Sequence, residues 1–170
     1  MVESTNQKPI FQECLRIEED AIHSAKGHFN AEAKWNVVHY ILGVLTTVTA
    51  AWAGLDAITS TSALSIYLAL IAALLAGTNT VLNPEKRTSK HGNAARQYKT
   101  LQNETRILRT ISLKNMDKEN IHAEFTVLTK QRDSLNESSP GIPYWAYKKA
   151  VDDIKAGGAT YLIDGNNSDC

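Results

Sequence analysis

The sequence predicts an all-α membrane protein, with a two-helix transmembrane hairpin, an N-terminal amphipathic helix and a cytosolic helical bundle. Three observations carry this prediction. Trp35 to Leu55 is a run of 21 residues without a formal charge, counting His39 as neutral, and Ala57 to Asn83 is a second run of 27, with only Asp56 between them. About 20 helical residues cross a hydrocarbon layer of ~30 Å, so each run is long enough. A soluble core hairpin of this length would keep a charged outer face, and neither run has one. The third observation is charge placement. The tip of the hairpin carries no Lys or Arg, whereas Lys26, Lys34, Lys86, Arg87 and Lys90 flank its other ends. The positive-inside rule then puts both termini in the cytoplasm and Asp56 outside.

Taken in order, residues 1–34 form a cytosolic segment built on an amphipathic helix over 9–33. Phe11, Cys14/Leu15, Ile22, Ala25 and Phe29 recur at helical spacing, interrupted by Glu18, and Pro9 suits the start. His23 and His28 are five residues apart, a poor spacing for two ligands on one face, and read as surface or interfacial histidines. The hairpin occupies 35–83, with helices near 36–55 and 63–82 joined through Asp56–Ser62. Its first helix carries Asn36, His39, Gly43, Thr46, Ala50 and Ala53 at alternating steps of three and four. Its second carries Ser62, Ser65, Ala69, Ala72, Ala76, Asn79 and Asn83 in the same rhythm. Small and polar residues at this spacing serve either close helix packing or a water-facing path. His39 and Asn79, each about one turn inside the cytoplasmic end, form either a polar ring at an inner pore mouth or a mutually bonded pair. The pore-facing candidates are therefore Asn36, His39, Gly43, Thr46 and Asn79.

Cytosolic helices follow over 84–158. Asn83-Pro84 is a helix restart, with Asn as cap and Pro at the first position. The restarted helix runs to about Met116, with a seam of Ala94, Tyr98, Leu101, Leu108 and Ile111 and Thr105 in register. A second spans about 118–135, with Ile121, Phe125, Leu128 and Leu135 on one side. Ser138 to Pro143 is a turn, Tyr144 to Lys155 a short helix ended by Gly157-Gly158, and Thr160–Ile163 a short strand within a flexible tail, 159–170.

Charge is unevenly spread along this neutral chain. Residues 85–118 hold 9 basic and 3 acidic side chains, while 119–170 hold 5 basic and 8 acidic. Lys86, Arg87 and Lys90 fall in the headgroup region, where anionic lipid attracts them. Arg96, Lys99, Arg106 and Arg109 lie further from the membrane. They serve either as partners for the acidic segment 119–170 or, multiplied in a ring of subunits, as a site for a polyanion. Together with Lys86 and Arg87 they are the ligand-binding candidates, and Tyr98 is either a stacking surface or a seam residue.

The sequence offers little for catalysis. It contains no phosphate-binding Gly-rich loop, no H-E-x-x-H and no G-x-S-x-G. Cys14 and Cys170 form no C-x-x-C, so neither a disulfide framework nor a zinc site is indicated, and no cofactor is implied. The polar N-terminus does not read as a signal peptide.

Three stretches resemble one family. These are Ala25 to Trp35 leading to His39–Gly43, then Asn83-Pro-Glu-Lys with His91, Ala94-Ala95, Tyr98 and Leu101, and finally Pro140 to Pro143 followed by Ala146-Tyr147 and Ala150. With two membrane helices and cytosolic helices behind them, the chain resembles the SLATT family over residues 10–155. These are two-transmembrane effectors associated with SMODS and SLOG nucleotide-signalling modules. The resemblance implies a homo-oligomeric pore in the bacterial inner membrane. It also implies gating by a nucleotide or oligonucleotide from a partner nucleotidyltransferase, and depolarisation of the membrane in anti-phage defence. The alternative expectation is a non-conducting adaptor in the lipid bilayer that docks a signalling partner through its cytosolic helices.

Overall fold

A computed structural model describes residues 7–59 and 63–160, which are helical with short connections and include no strand. The order is α1 (Gln7–Thr59), α2 (Leu64–Leu82) and α3 (Pro84–Ile107), then a π-helical turn (Leu108–Ser112), α4 (Leu113–Asn115), α5 (Lys118–Ser138) and α6 (Tyr144–Lys155). Ser62, most of the expected strand Thr160–Ile163 and most of the tail 159–170 lie outside the described residues.

The amphipathic helix and the first apolar helix are one element of 53 residues, not two. Between Gly27 and Gly43 the sequence offers neither Pro nor Gly, so nothing releases the backbone from its i→i−4 ladder. The same continuity carries α1 past Asp56, which lies inside the helix and not in the loop where it was expected.

Asn83 behaves as the sequence predicts, and serves two helices. It takes the left-handed conformation (φ 44°) and donates its N–H to the Asn79 carbonyl, closing α2. Its side-chain Oδ1 accepts from the Lys86 N–H at 3.3 Å, opening α3 behind Pro84. Asn is one of the few residues that tolerate both jobs. The start of α5 is fixed in the same way, by Asp117 Oδ1 accepting from the Asn120 N–H at 2.9 Å.

The described residues fall into two compact units, one from residues up to Ala31 together with those from Lys90 onward, the other Glu32–Ser89. The first unit has a core of Ile10, Cys14, Ile17, Ala21 and Ala25 from α1, Tyr98, Leu101 and Leu108 from α3 and the π turn, and Ile121, Leu128 and Leu135 from α5. The α5 face is the expected one. The α1 face is rotated by about one residue from expectation, leaving Phe11, Leu15 and Phe29 largely exposed. Cys and Ala on the inner line let α1 approach its neighbours closely, and the bulky rings flank the contact.

The seam of α3 holds from Ala94 to Leu108 and then shifts. A π turn inserts an extra residue, so Ser112 and Leu113 turn inward and Ile111, expected in the seam, is 55% exposed.

The second unit contains the two long apolar helical segments. In the most apolar 18-residue stretch of each, only 6% is buried. The less exposed positions nevertheless keep to one face on each helix. On α1 these include His39, Gly43, Thr46, Thr49 and Ala53, and on α2 Ser65, Leu68, Ala72, Leu75 and Asn79.

Candidate functional site

Polar groups on the two apolar segments divide into satisfied and unsatisfied sets. Threonine hydroxyls satisfy themselves by donating to the carbonyl four residues back. Thr46 donates to Leu42 at 2.7 Å, Thr47 to Gly43 at 2.9 Å, Thr49 to Leu45 at 2.7 Å, Thr78 to Leu74 at 2.8 Å and Thr80 to Ala76 at 3.0 Å. These side chains need no water. By contrast, His39 Nδ1 and Asn79 Oδ1 are buried atoms with no hydrogen-bond partner among the described residues. In an apolar surrounding each such atom costs about 1–3 kcal/mol until it finds a donor or acceptor.

Of the five pore-facing candidates, the structure therefore brings His39, Gly43, Thr46 and Asn79 onto the less exposed faces of α1 and α2. Asn36 is on the open side, with Ala50 of the same stripe.

The six basic candidates do not form one stripe. Arg87 lies over the Trp35 ring, 4.9 Å from its centroid, and donates Nε to the Leu82 carbonyl at 2.9 Å. Arg96 donates to Asn93 Oδ1 at 2.7 Å and Lys99 to Gln102 Oε1 at 2.8 Å. These two are exposed, as is Lys86, while Arg106 is half-buried. Arg109 has a different role. It grips Glu18 with two bonds, Nε to Oε1 at 2.6 Å and Nη2 to Oε2 at 3.1 Å, and covers Phe11. Its bidentate partner is thus on α1. The π turn aims this residue, and the Glu18 that breaks the apolar line of α1 is the acceptor it needs.

A buried polar cluster was not foreseen. His28, read as a surface residue, is 1% exposed and meets His91, 5% exposed, with the two Nδ1 atoms 2.9 Å apart. At that distance one ring carries the shared proton and the other accepts it. The His28 ring stacks on Tyr98 at 5.6 Å, and the Tyr98 hydroxyl donates to Asn136 Oδ1 at 2.9 Å. The cluster therefore ties α1 to α3 and α3 to α5. Burial, and after it the adjacent His91, push His28 down to about 4. Burial pushes the Tyr98 hydroxyl up. Burial also pushes the Cys14 thiol up to about 11, with the Glu18 carboxylate adding to the rise and Arg109 opposing it. A thiol of that kind is not a nucleophile at neutral pH.

A sequence signal for the cluster existed in hindsight. His28 falls on the line of Cys14, Ala21 and Ala25, and His91 on the line of Ala94, Tyr98 and Leu101. No group of three or more metal-ligating side chains converges among the described residues. No family model, curated protein or solved structure matches the chain.

Proposed function

We propose that the protein is a homo-oligomeric, ion-conducting effector of the bacterial inner membrane. In this reading α1 from Trp35 and α2 cross the bilayer as a hairpin, with both termini in the cytoplasm. The observation that carries it is the pair of orphaned polar atoms, His39 Nδ1 and Asn79 Oδ1, on two helices otherwise clothed in exposed apolar side chains. Lipid can cover Val, Leu and Ile but offers nothing to an imidazole nitrogen or an amide oxygen. Water in a shared path, or a second copy, offers both. One hairpin cannot enclose such a path, so several copies pack, most simply as a closed ring.

The inner faces have the small residues that close packing requires, Gly43 and Ala72 among them. On the cytosolic side, the His28–His91 and Glu18–Arg109 pairs tie α1 to α3 and the π turn. α1 leads into the first span and α3 leaves the second. A signal that moves one of these helices is passed to the other. The resemblance to the SLATT family supports a nucleotide or oligonucleotide as that signal, and membrane depolarisation in anti-phage defence as the outcome. Lys86, Arg96 and Lys99 are among the exposed cations of α3 suited to such an anion, whereas Arg109 is held by Glu18.

The test combines native mass measurement in mild detergent with ion flux from reconstituted vesicles. The proposal requires an oligomer, and His39→Leu should change flux more than Val44→Leu, which alters an outward residue. A monomer, or an oligomer without flux both in the absence and in the presence of candidate nucleotides, rejects the pore and leaves an adaptor.

A further inference from the structure

We infer that the first turn of α6 is a lipid-headgroup docking surface that binds anionic phospholipid. The inference rests on the membrane reading above and adds a second, peripheral contact to it.

The sequence of α6 begins Tyr144-Trp-Ala-Tyr-Lys-Lys149. Ala146 and Ala150, one turn apart, are fully buried and form its inner line. The outer lines are Tyr144 with Lys148 and Trp145 with Lys149, each an i, i+4 pair. Tyr144 is 79% exposed, Trp145 38% and Tyr147 47%, and both lysines are exposed. Large aromatic rings left open beside ammonium groups are the composition of a membrane–water interface. There the rings sit among headgroups and the lysines meet lipid phosphate. The acids of this helix, Asp152 and Asp153, come only in its second half.

Contacts with α1 fix this turn in place. Asn30 Nδ2 donates to the Ala146 carbonyl at 3.2 Å, tying the first turn of α6 to α1. Ile142 sits against Gly27, where an added Cβ would come within 3.0 Å of its Cγ2, so a bare glycine is what admits this contact. The Tyr147 ring lies 6.3 Å from that of His23. The contacts of Ile142, Ala146 and Tyr147 with α1 thus fall within residues 23–30, about two helical turns. On the membrane reading the first span begins at Trp35 of the same helix, so the chain itself tethers α6 to the bilayer, and each lysine strengthens docking on an anionic surface about fivefold.

The experiment uses the full-length protein in vesicles of phosphatidylcholine and phosphatidylglycerol. The chain has three tryptophans. Trp35→Phe with Trp52→Phe leaves Trp145 as the sole emitter, and Trp35→Phe with Trp145→Phe leaves Trp52. Lipids brominated near the headgroup should quench Trp145, and Lys148→Glu with Lys149→Glu should relieve most of that quenching. Quenching of Trp52 without quenching of Trp145 overturns the docking while the spans stand. No quenching of either tryptophan overturns the membrane reading and the docking with it. Equal quenching of Trp145 in the charge-reversed protein overturns the recognition of anionic lipid.

Discussion

Acidification should loosen the packing of α1 against α3 through His28, and the size of the effect follows from its surroundings. The ring is 1% exposed, touches a second imidazole and is held down to about 4 from an ordinary 6.5. The unfolded chain binds a proton at this site near pH 6.5, and the folded chain does so only near pH 4. Unfolding therefore takes up a proton between those values, and stability falls as pH drops through them. Above pH 6.5 the contribution is fully present. Between pH 7 and pH 5 the loss from this one group is about 2 kcal/mol, and below pH 4 it levels off near 3 kcal/mol. For a chain of this size that corresponds to a fall of about 4–8 °C in the unfolding midpoint between pH 7 and pH 5.

Thermal denaturation followed by far-ultraviolet circular dichroism, on full-length protein in mild detergent, measures it. His28→Gln serves as the reference, since it cannot titrate. The wild-type midpoint should drop further than that of the variant by the stated amount, although the variant starts lower. Equal drops in the two proteins would refute the buried, shared-proton pair.

Three further outcomes follow from the same geometry. Glu18→Gln leaves the Arg109 guanidinium, 20% exposed, without its bidentate partner, and should cost about 2–3 kcal/mol by thermal denaturation, whereas Glu18→Gln with Arg109→Leu should recover part of the loss. Cys14, buried and with its thiol near 11, should resist maleimide at pH 7.5 until the protein is denatured, which mass spectrometry of the labelled peptides checks. Arg96→Glu with Lys99→Glu reverses two exposed cations of α3. It should abolish low-salt binding of a short oligonucleotide while the oligomer persists by native mass, and retained binding would remove this flank from the ligand site.

Some of this was legible in the sequence for direct physical reasons. The two apolar segments stand out because each is a long run of uncharged residues, long enough to cross a membrane. Asn83-Pro84 and Asp117 punctuate helices through local backbone chemistry, and local chemistry is readable from adjacent residues. What escaped was set by partners far away in the chain. Glu18 looked like a defect in an apolar line because Arg109, its reason for being there, is 91 residues on. His28 looked like a surface residue because His91 is 63 residues on. The true inner line of α1 was obscured because periodicity weights large apolar side chains, while close approach selected Cys14, Ala21 and Ala25. The π turn at Leu108–Ser112 leaves no mark in composition, and it alone displaced Ile111 from the seam. On the two apolar helices the stripes match the less exposed faces only in part, with Asn36, Ala50, Ala69 and Ala76 on the open side, and small residues suit helix contact and water alike.

The central claim is that copies of this chain alone make a conducting path, and planar-bilayer recording of the purified protein tests it most directly. The account predicts discrete current steps from wild-type protein in the absence or the presence of candidate nucleotides, with a step size changed by Asn79→Leu and left unchanged by Val81→Leu, which alters an outward residue. A bilayer that stays silent under both conditions with verified, inserted oligomer, or steps indifferent to Asn79→Leu, would contradict it.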